Sequence, residues 1–255
     1  MATLGYFERL AHQRVLKRWA RFARRADRTP LEQLQLHRSG ARDMRVHLDQ
    51  LIHTADERLD LPAINASPYD VPHNADWAWR PQLWRGGLPF SGMASVQNDA
   101  ALGDEIKVFH DCPLAELSLR QVRNQRPSDS AAYGLRMDVF QFAGAFMSLV
   151  LDLPPDATEG LRRNHLVRLD PVVEIERPIE IFARLNIQHG PNVEQLVREL
   201  PLHQSDHAVE FDLAYSNMNE KRAEKAWLDL IFEGPAMNQV TVRDVVLSRR
   251  PRAEL

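Results

Sequence analysis

Cysteine is almost missing from this chain: Cys112 is the single one in 255 residues. No intramolecular disulfide framework can form, and no cysteine-rich zinc site can be assembled. Lysine is scarce too, with only Lys17, Lys107, Lys221 and Lys225 among 32 Lys and Arg residues, a bias that a GC-rich genome alone would produce. No run approaches the ~18 apolar residues of a membrane-spanning helix, and the charges spread from Met1 to Arg25 leave no apolar centre for a signal peptide. The expected location is therefore the cytoplasm, with a peripheral place at the inner face of the membrane as the variant. Glycine loops that cradle phosphates are absent: neither G-x-G-x-x-G nor G-x-x-x-x-G-K-[ST] occurs, and Gly86, Gly87 and Gly92 have the wrong spacing and no lysine. No G-x-S-x-G nucleophile elbow occurs either. Nucleotide and serine-hydrolase chemistry lose their usual signatures, and no cofactor is expected.

What is present is unevenly placed. From Met1 to Arg28 eight basic residues stand against Glu8 and Asp27, a local charge of +6 that leaves −9 for the remainder of a chain whose total is −3. Leu4, Phe7, Ala11, Val15, Trp19 and Phe22 recur every three or four residues, so the segment reads as a basic amphipathic helix. Arg14, Lys17, Arg18, Arg21 and Arg25, with Trp19 and Phe22 on the apolar stripe, are the candidate contacts to an anionic membrane surface or a protein partner. The alternative is that the stripe packs on the protein itself. Few polar readers of base edges accompany the arginines, so no sequence-specific nucleic-acid binding is expected.

Thr29 as N-cap, Pro30 at the first position and Glu32 three residues after the cap predict a second helix from about residue 30 to 59. Its apolar positions Leu34, Ala41 and Leu48, with Met44 and Leu51 in a second row, form a seam open to the first helix, to the rest of the protein or to a second copy of the chain. Residues 60–75 contain three prolines and no periodicity, which predicts a linker after a helical arm of residues 1–59.

Beyond it, over residues 76–255, the period changes to two. Ile179, Ile181, Ala183, Leu185 and Ile187 alternate with polar neighbours, as do Leu117 and Leu119, then Leu135, Met137 and Val139, then Val209, Phe211, Leu213 and Tyr215, and finally Val240, Val242 and Val246. Eight to ten strands without intervening long helices predict a mainly β domain, an antiparallel β-sandwich preceded by two helices. The short Ala143-Gly144 connection favours a hairpin, Val193 to Leu200 fits strand or short helix, and Trp227 reads as core.

Candidate chemistry is thin. His203 and His207 are four apart, but HQSDH lacks the glutamate of a zincin and falls in a predicted loop, so no metal site is assigned. His110 and Cys112 flank one residue in extended chain, and Cys112 reads as a small buried hydrophobe. Glu174 and Glu176 would share a strand face at the spacing of a glycosidase carboxyl pair, which keeps a glycoside hydrolase open as one alternative beside a structural ion pair with Arg177 or Arg184. No residue is assigned a catalytic role. Trp77, Trp79 and Trp84 follow the linker closely, and would either stack on a sugar or cap one end of the core.

The closing segments VEFDLAY (Val209 to Tyr215) and WLDLIFEGPAMNQVTVRDVVLSRRP (Trp227 to Pro251) resemble the last strands of galactose-binding-like and carbohydrate-binding-module jelly rolls, with Asn238-Gln239-Val240 at the turn and Val242 to Leu247 as the final strand. The whole chain, including RPIEIFARLNIQHGPNVEQLVREL (Arg177 to Leu200), is similar to an uncharacterised family of alphaproteobacterial proteins, which brings no activity with it. The jelly-roll resemblance implies non-catalytic saccharide binding, in some members beside a structural calcium ion. The expected function is recognition of a saccharide or surface polymer, through stacking by Trp77, Trp79 or Trp84 and hydrogen bonds from Arg184, Asn186 and Asn217. The alternative is a membrane-peripheral or assembly protein acting through the helices, with a homo-oligomer formed along the second.

Overall fold

The computed structural model describes residues 6–60, 71–88, 90–113, 116–126, 128–204 and 206–252. The chain divides into two units, residues 1–52 and residues 53–255. Most of the expected linker, residues 61–70, and Leu4 of the amphipathic stripe lie outside the described residues.

In the first unit, helix α1 (Tyr6–Arg25) and helix α2 (Leu31–Asp60) are joined by a 3-10 turn at Ala26–Arg28. Isolated helices are marginal in water, so α1 needs a packing partner. Within this unit α2 supplies one. The Phe22 ring stacks on His37 at 4.0 Å, Trp19 meets Phe22 edge-on at 5.6 Å, and Trp19 Cη2 lies 3.6 Å from where a side chain on Gly40 would begin. The cap differs from expectation. The Thr29 hydroxyl donates backward to the Arg25 carbonyl at 2.8 Å and α2 begins at Leu31, so the capping box does not form and Pro30 takes the cap position. Backward donation satisfies one of the orphan carbonyls at the end of α1 instead.

The second unit is an antiparallel two-sheet sandwich. Its strands are β1 (Trp77–Trp79), β2 (Gly92–Ala94), β3 (Ala100–Ala101), β4 (Ile106–His110), β5 (Glu116–Arg123), β6 (Tyr133–Gln141), β7 (Met147–Asp152), β8 (His165–Ile175), β9 (Ile181–His189), β10 (Asn192–Glu199), β11 (Val209–Asp212), β12 (Ala223–Phe232) and β13 (Asn238–Pro251), with one helical turn α3 (Gln82–Arg85). Seven strands form one sheet in the order β11-β8-β13-β6-β5-β2, with β1 also on β13; six form the other, in the order β10-β9-β12-β7-β4-β3. The alternating apolar residues meet between them: Leu135, Met137, Val139, Leu169 and Val240 on one side face Leu149, Leu151, Leu185, Leu228 and Leu230 on the other, all buried. Burial of alternate aliphatic side chains at ~25 cal/mol per Å² drives this arrangement.

One open strand reading is decided and two expectations are corrected. The segment that fits strand or short helix is strand, as β10, from Asn192 to Glu199. Leu213 and Tyr215 leave the strand for a 3-10 turn that Asp212 caps by accepting from the Ala214 N–H at 3.0 Å. The Ala143-Gly144 connection makes no hairpin, because β6 and β7 belong to different sheets and the chain crosses from one layer to the other. Asp111 fixes that crossing by accepting from the N–H groups of Ala145 and Phe146 at 2.8 and 3.1 Å, which holds its carboxyl below the ordinary value.

A β-bulge between Val242 and Asp244 shifts the alternation of β13 by one residue. Val242 and Val245 both face the core, while Asp244, Val246 and Ser248 move to the outer face. Asp244 is then matched by a buried arginine. Arg80 Nε and Nη2 donate to its two oxygens at 2.9 and 2.7 Å, and Ser130 Oγ donates to it at 2.7 Å.

Candidate functional site

Strand parity decides which side chains the six-stranded sheet turns outward. On β9 the core takes Ile181, Ala183, Leu185 and Ile187, so Phe182, Arg184, Asn186 and Gln188 project from the other face. On β12 the core takes Ala226, Leu228, Leu230 and Phe232, so Trp227, Asp229 and Ile231 project beside them. Trp227 is thus half-buried on the outer face and not part of the core cluster, a correction to its sequence reading.

Cross-strand register puts Trp227 opposite Asn186, Asp229 opposite Arg184, and Gln195 of β10 opposite Asn186. The polar groups close into one chain of hydrogen bonds. Gln195 Nε2 donates to Asn186 Oδ1 at 3.0 Å; Asn186 Nδ2 donates to Asp229 Oδ2 at 3.0 Å; and Arg184 donates to the same oxygen through Nε at 2.7 Å. Asp229 is 2% exposed and carries the network, while Arg184 keeps about a third of its side chain in solvent. A network of this kind fixes its members in one rotamer each. It spans three neighbouring strands, about 10 Å at the ~4.8 Å strand spacing.

Trp227 lies next to this ladder. The Lys225 ammonium sits 5.8 Å from its ring centroid and 2.7 Å from Asp152 of β7, which places a cation–π contact and an ion pair at one end. Half-exposed Phe182, Ile231 and Val150 supply apolar surface on the same face. The assembly therefore offers donors, acceptors, one indole and aliphatic patches side by side on a rigid sheet.

Of the residues singled out from the sequence, Arg184 and Asn186 come together here. Asn217 does not: it is exposed in the connection between β11 and β12, where its N–H donates to Glu194 Oε1 at 3.0 Å. The three tryptophans after the linker sit with the core. Trp84 is 0% exposed and its Nε1 donates to the Val242 carbonyl at 2.9 Å; Trp79 is 8% exposed and pairs with Leu247; Trp77 packs against the core cluster beside Leu153, Ala157 and Val167. The rings of Trp79 and Trp84 are enclosed, so the stacking considered for them is replaced by the core role that the sequence left open beside it. Gln121 locks the same segment, donating to the Leu83 and Gly86 carbonyls at 2.6 and 2.7 Å.

In the helical unit, Arg14, Lys17, Arg18, Arg21 and Arg25 are exposed, while Trp19 and Phe22 are half-buried against α2. Glu174 is paired with Arg126 and, at 2.8 Å, with Arg243, whereas Glu176 lies past the end of β8 and is exposed. The pair is therefore no matched set of carboxylates on one strand. His110 is buried with Nε2 3.1 Å from the Val96 carbonyl, and Cys112 Sγ accepts from the Ala143 N–H at 3.2 Å. Among the described residues no group of three or more His, Cys, Asp or Glu is placed to hold a metal ion, and no helix is long and apolar enough to cross a membrane.

Sequence reasoning missed Trp227 and Asp229. The signal was there in WLDLIF, whose parity against Leu228 and Leu230 puts Trp227 and Asp229 on the same face as each other.

No curated protein sequence matches the chain. Among solved structures the chain is similar to the enzymatically active domain of bacteriophage CBA120 tailspike protein 4, at 6% identity and a TM-score of 0.40, over 60% of this chain and 21% of that one, about a fifth of its length. It is similar to the family 11 carbohydrate-binding module from Clostridium thermocellum, in complex with a β-1,3-1,4-mixed-linked tetrasaccharide, at 12% identity and a TM-score of 0.36, over 65% of this chain and 99% of that one. It is also similar to the CBM22-1 xylan-binding domain from Paenibacillus barcinonensis Xyn10C, at 9% identity and a TM-score of 0.37, over 64% and 94%. At these scores the likenesses carry no information on a ligand of this chain. Over residues 1–255 the chain matches the family of unknown function DUF6478, and it belongs to that family.

Proposed function

We propose that the sandwich is a non-catalytic saccharide-recognition module and that its binding surface is the outer face of the six-stranded sheet. One observation carries this reading: the fixed ladder of Gln195, Asn186, Asp229 and Arg184 lies beside the half-exposed ring of Trp227. A sugar ring has an apolar C–H face that rests on an indole, and hydroxyls that both donate and accept. Arg184 donates and the exposed amide of Gln195 both donates and accepts, while the buried Asn186 and Asp229 hold them in place. Because each group is already held by its neighbour, little ordering entropy opposes binding. The test is an array of soluble and immobilised glycans probed with the full chain and with Trp227→Ala. Retention on at least one glycan class, lost in the variant with its folding intact, is the expected result; equal retention by both proteins removes the face from consideration.

A second reading places an anionic surface against α1. Arg14, Lys17, Arg18 and Arg21 are exposed there beside Val15 and Leu16, which are 43% and 55% exposed. Each arginine near an anionic leaflet contributes about 1 kcal/mol, weakening with salt. Sedimentation with phosphatidylserine vesicles at low and high salt tests it, and cosedimentation unaltered by Arg14→Glu with Arg18→Glu would speak against it.

A further inference from the structure

The outer face of the seven-stranded sheet carries a feature that saccharide recognition on the opposite sheet does not use. A cleft of about 680 Å³ lies over β8 and β13, inside the ~300–1,000 Å³ range of small-molecule sites. Val172 and Asp170 of β8 stand opposite Asp244 and Val246 of β13 and form its floor. His73 lines it from the segment before β1, and Asp206 and His207 from the segment before β11.

Its one guanidinium, that of Arg168, is already occupied by carboxylates of the protein. Arg168 Nε donates to both oxygens of Asp170 at 2.8 and 2.9 Å. Its Nη2 lies 3.8 Å from Asp206 and its Nη1 3.8 Å from Glu210. Every nitrogen of this guanidinium therefore faces a carboxylate, and an incoming phosphate or carboxylate group would meet that negative charge at close range. Asp244 is matched from behind by Arg80. Partial burial raises the Asp170 carboxyl above its ordinary value while Arg168 pulls it down.

What stays open to a ligand is one exposed carboxylate, two histidine rings and aliphatic surface. Asp206 is largely exposed and accepts hydrogen bonds, His73 and His207 bring ring nitrogens, and the exposed side chain of Val172 gives an apolar bed beside the buried Val246.

We propose that this cleft binds a small, uncharged polyhydroxylated molecule, a monosaccharide or a cyclic polyol, with hydroxyls donating to Asp170 and Asp206 and a C–H face resting on Val172. The site shares no residue with the ladder around Trp227, so it stands or falls separately from the proposed function.

The test is a titration of the isotope-labelled full chain, followed by amide NMR, with D-glucose, D-galactose and myo-inositol, and with sodium phosphate and spermidine as charged probes. Saturable shifts with at least one neutral probe, confined to β8, β13, residues 71–73 and residues 206–208, are expected. Asp206→Asn, whose side chain is exposed and burdens the fold little, should weaken them about tenfold, and Val172→Trp, which fills the cleft from a position 47% exposed, should abolish them. Trp227→Ala should leave them unchanged. The proposal is overturned by shifts with the charged probes alone, by no saturable shift with any neutral probe, or by neutral-probe shifts that Val172→Trp does not alter.

Discussion

The two outer faces of the sandwich each pair an aspartate with an arginine, at different depths, Asp229 with Arg184 of the neighbouring strand and Asp244 with Arg80 just past the end of β1. On the seven-stranded sheet Arg80 and Asp244 are both nearly sealed from solvent, with side chains 6% exposed on each partner, and the pair braces the floor of a cleft. On the six-stranded sheet Asp229 is buried but Arg184 reaches water, and the pair belongs to an open ladder next to an indole. Depth decides what such a pair is for. A sealed pair is structural, since removing one partner strands a charge, whereas a pair with one end in solvent can exchange water for a ligand's hydroxyls at modest cost.

That contrast can be broken by mutation, and the largest effect should come from the sealed side. Asp244→Ala leaves Arg80 buried without its bidentate acceptor and should lower stability by about 3–5 kcal/mol, read as a shift of the urea midpoint. Asp229→Ala should cost less, about 1–2 kcal/mol, because Arg184 can turn into solvent, yet it should abolish glycan retention. A larger stability loss at Asp229 than at Asp244 would reverse the comparison.

Trp227→Ala should weaken oligosaccharide binding about tenfold with less than about 1 kcal/mol of lost stability, as measured by calorimetric titration and by urea unfolding. Were it instead as damaging to the fold as a core substitution, Trp227 would belong to the interior in energetic terms.

Acid sharpens the comparison at the start of β8. Burial lowers the His165 pKa, with the Asp76 charge opposing and Arg249 reinforcing the shift. The folded state binds a proton here less readily than the unfolded chain, so the contribution of neutral His165 is complete above about pH 6.5 and is lost as pH falls through the lower folded value. Urea midpoints across that window should fall less steeply in His165→Asn than in the parent, and identical slopes would contradict the assignment. Smallest of all, Lys225→Ala removes an exposed ion pair and should change stability by no more than about 1 kcal/mol.

The layers of this molecule were readable from the sequence because period two and period 3.6 are direct consequences of which side chains face a core. The runs around Leu135 and Ile181 each became a strand with the expected face inward, whereas the run around Leu228 became a strand that turns Trp227 outward. The bulge at Val242/Asp244 was hidden, since it shows only as a slip in parity within VTVRDVVL, and so was the buried status of Asp244. Pairing across long separations was hidden as well. Nothing local tells Arg80 that its acceptor lies 164 residues away, or sends β6 and β7 to different sheets despite a two-residue gap between their predicted ends. The candidate site was half legible. Arg184 and Asn186 were marked as polar residues opposite an apolar face, but the ring beside them was sought among Trp77, Trp79 and Trp84, whose proximity in sequence to a linker suggested exposure, and not in Trp227 on the neighbouring strand.

The most direct measurement is calorimetric titration of an array-selected oligosaccharide into four proteins: the parent, Trp227→Ala, Asp229→Asn and Val172→Trp. Saturable binding by the parent and by Val172→Trp, with at least about tenfold weaker binding by the two variants of the six-stranded face, is the outcome expected. Binding that survives both Trp227→Ala and Asp229→Asn unchanged, or that no glycan elicits from the parent, would contradict saccharide recognition on that face.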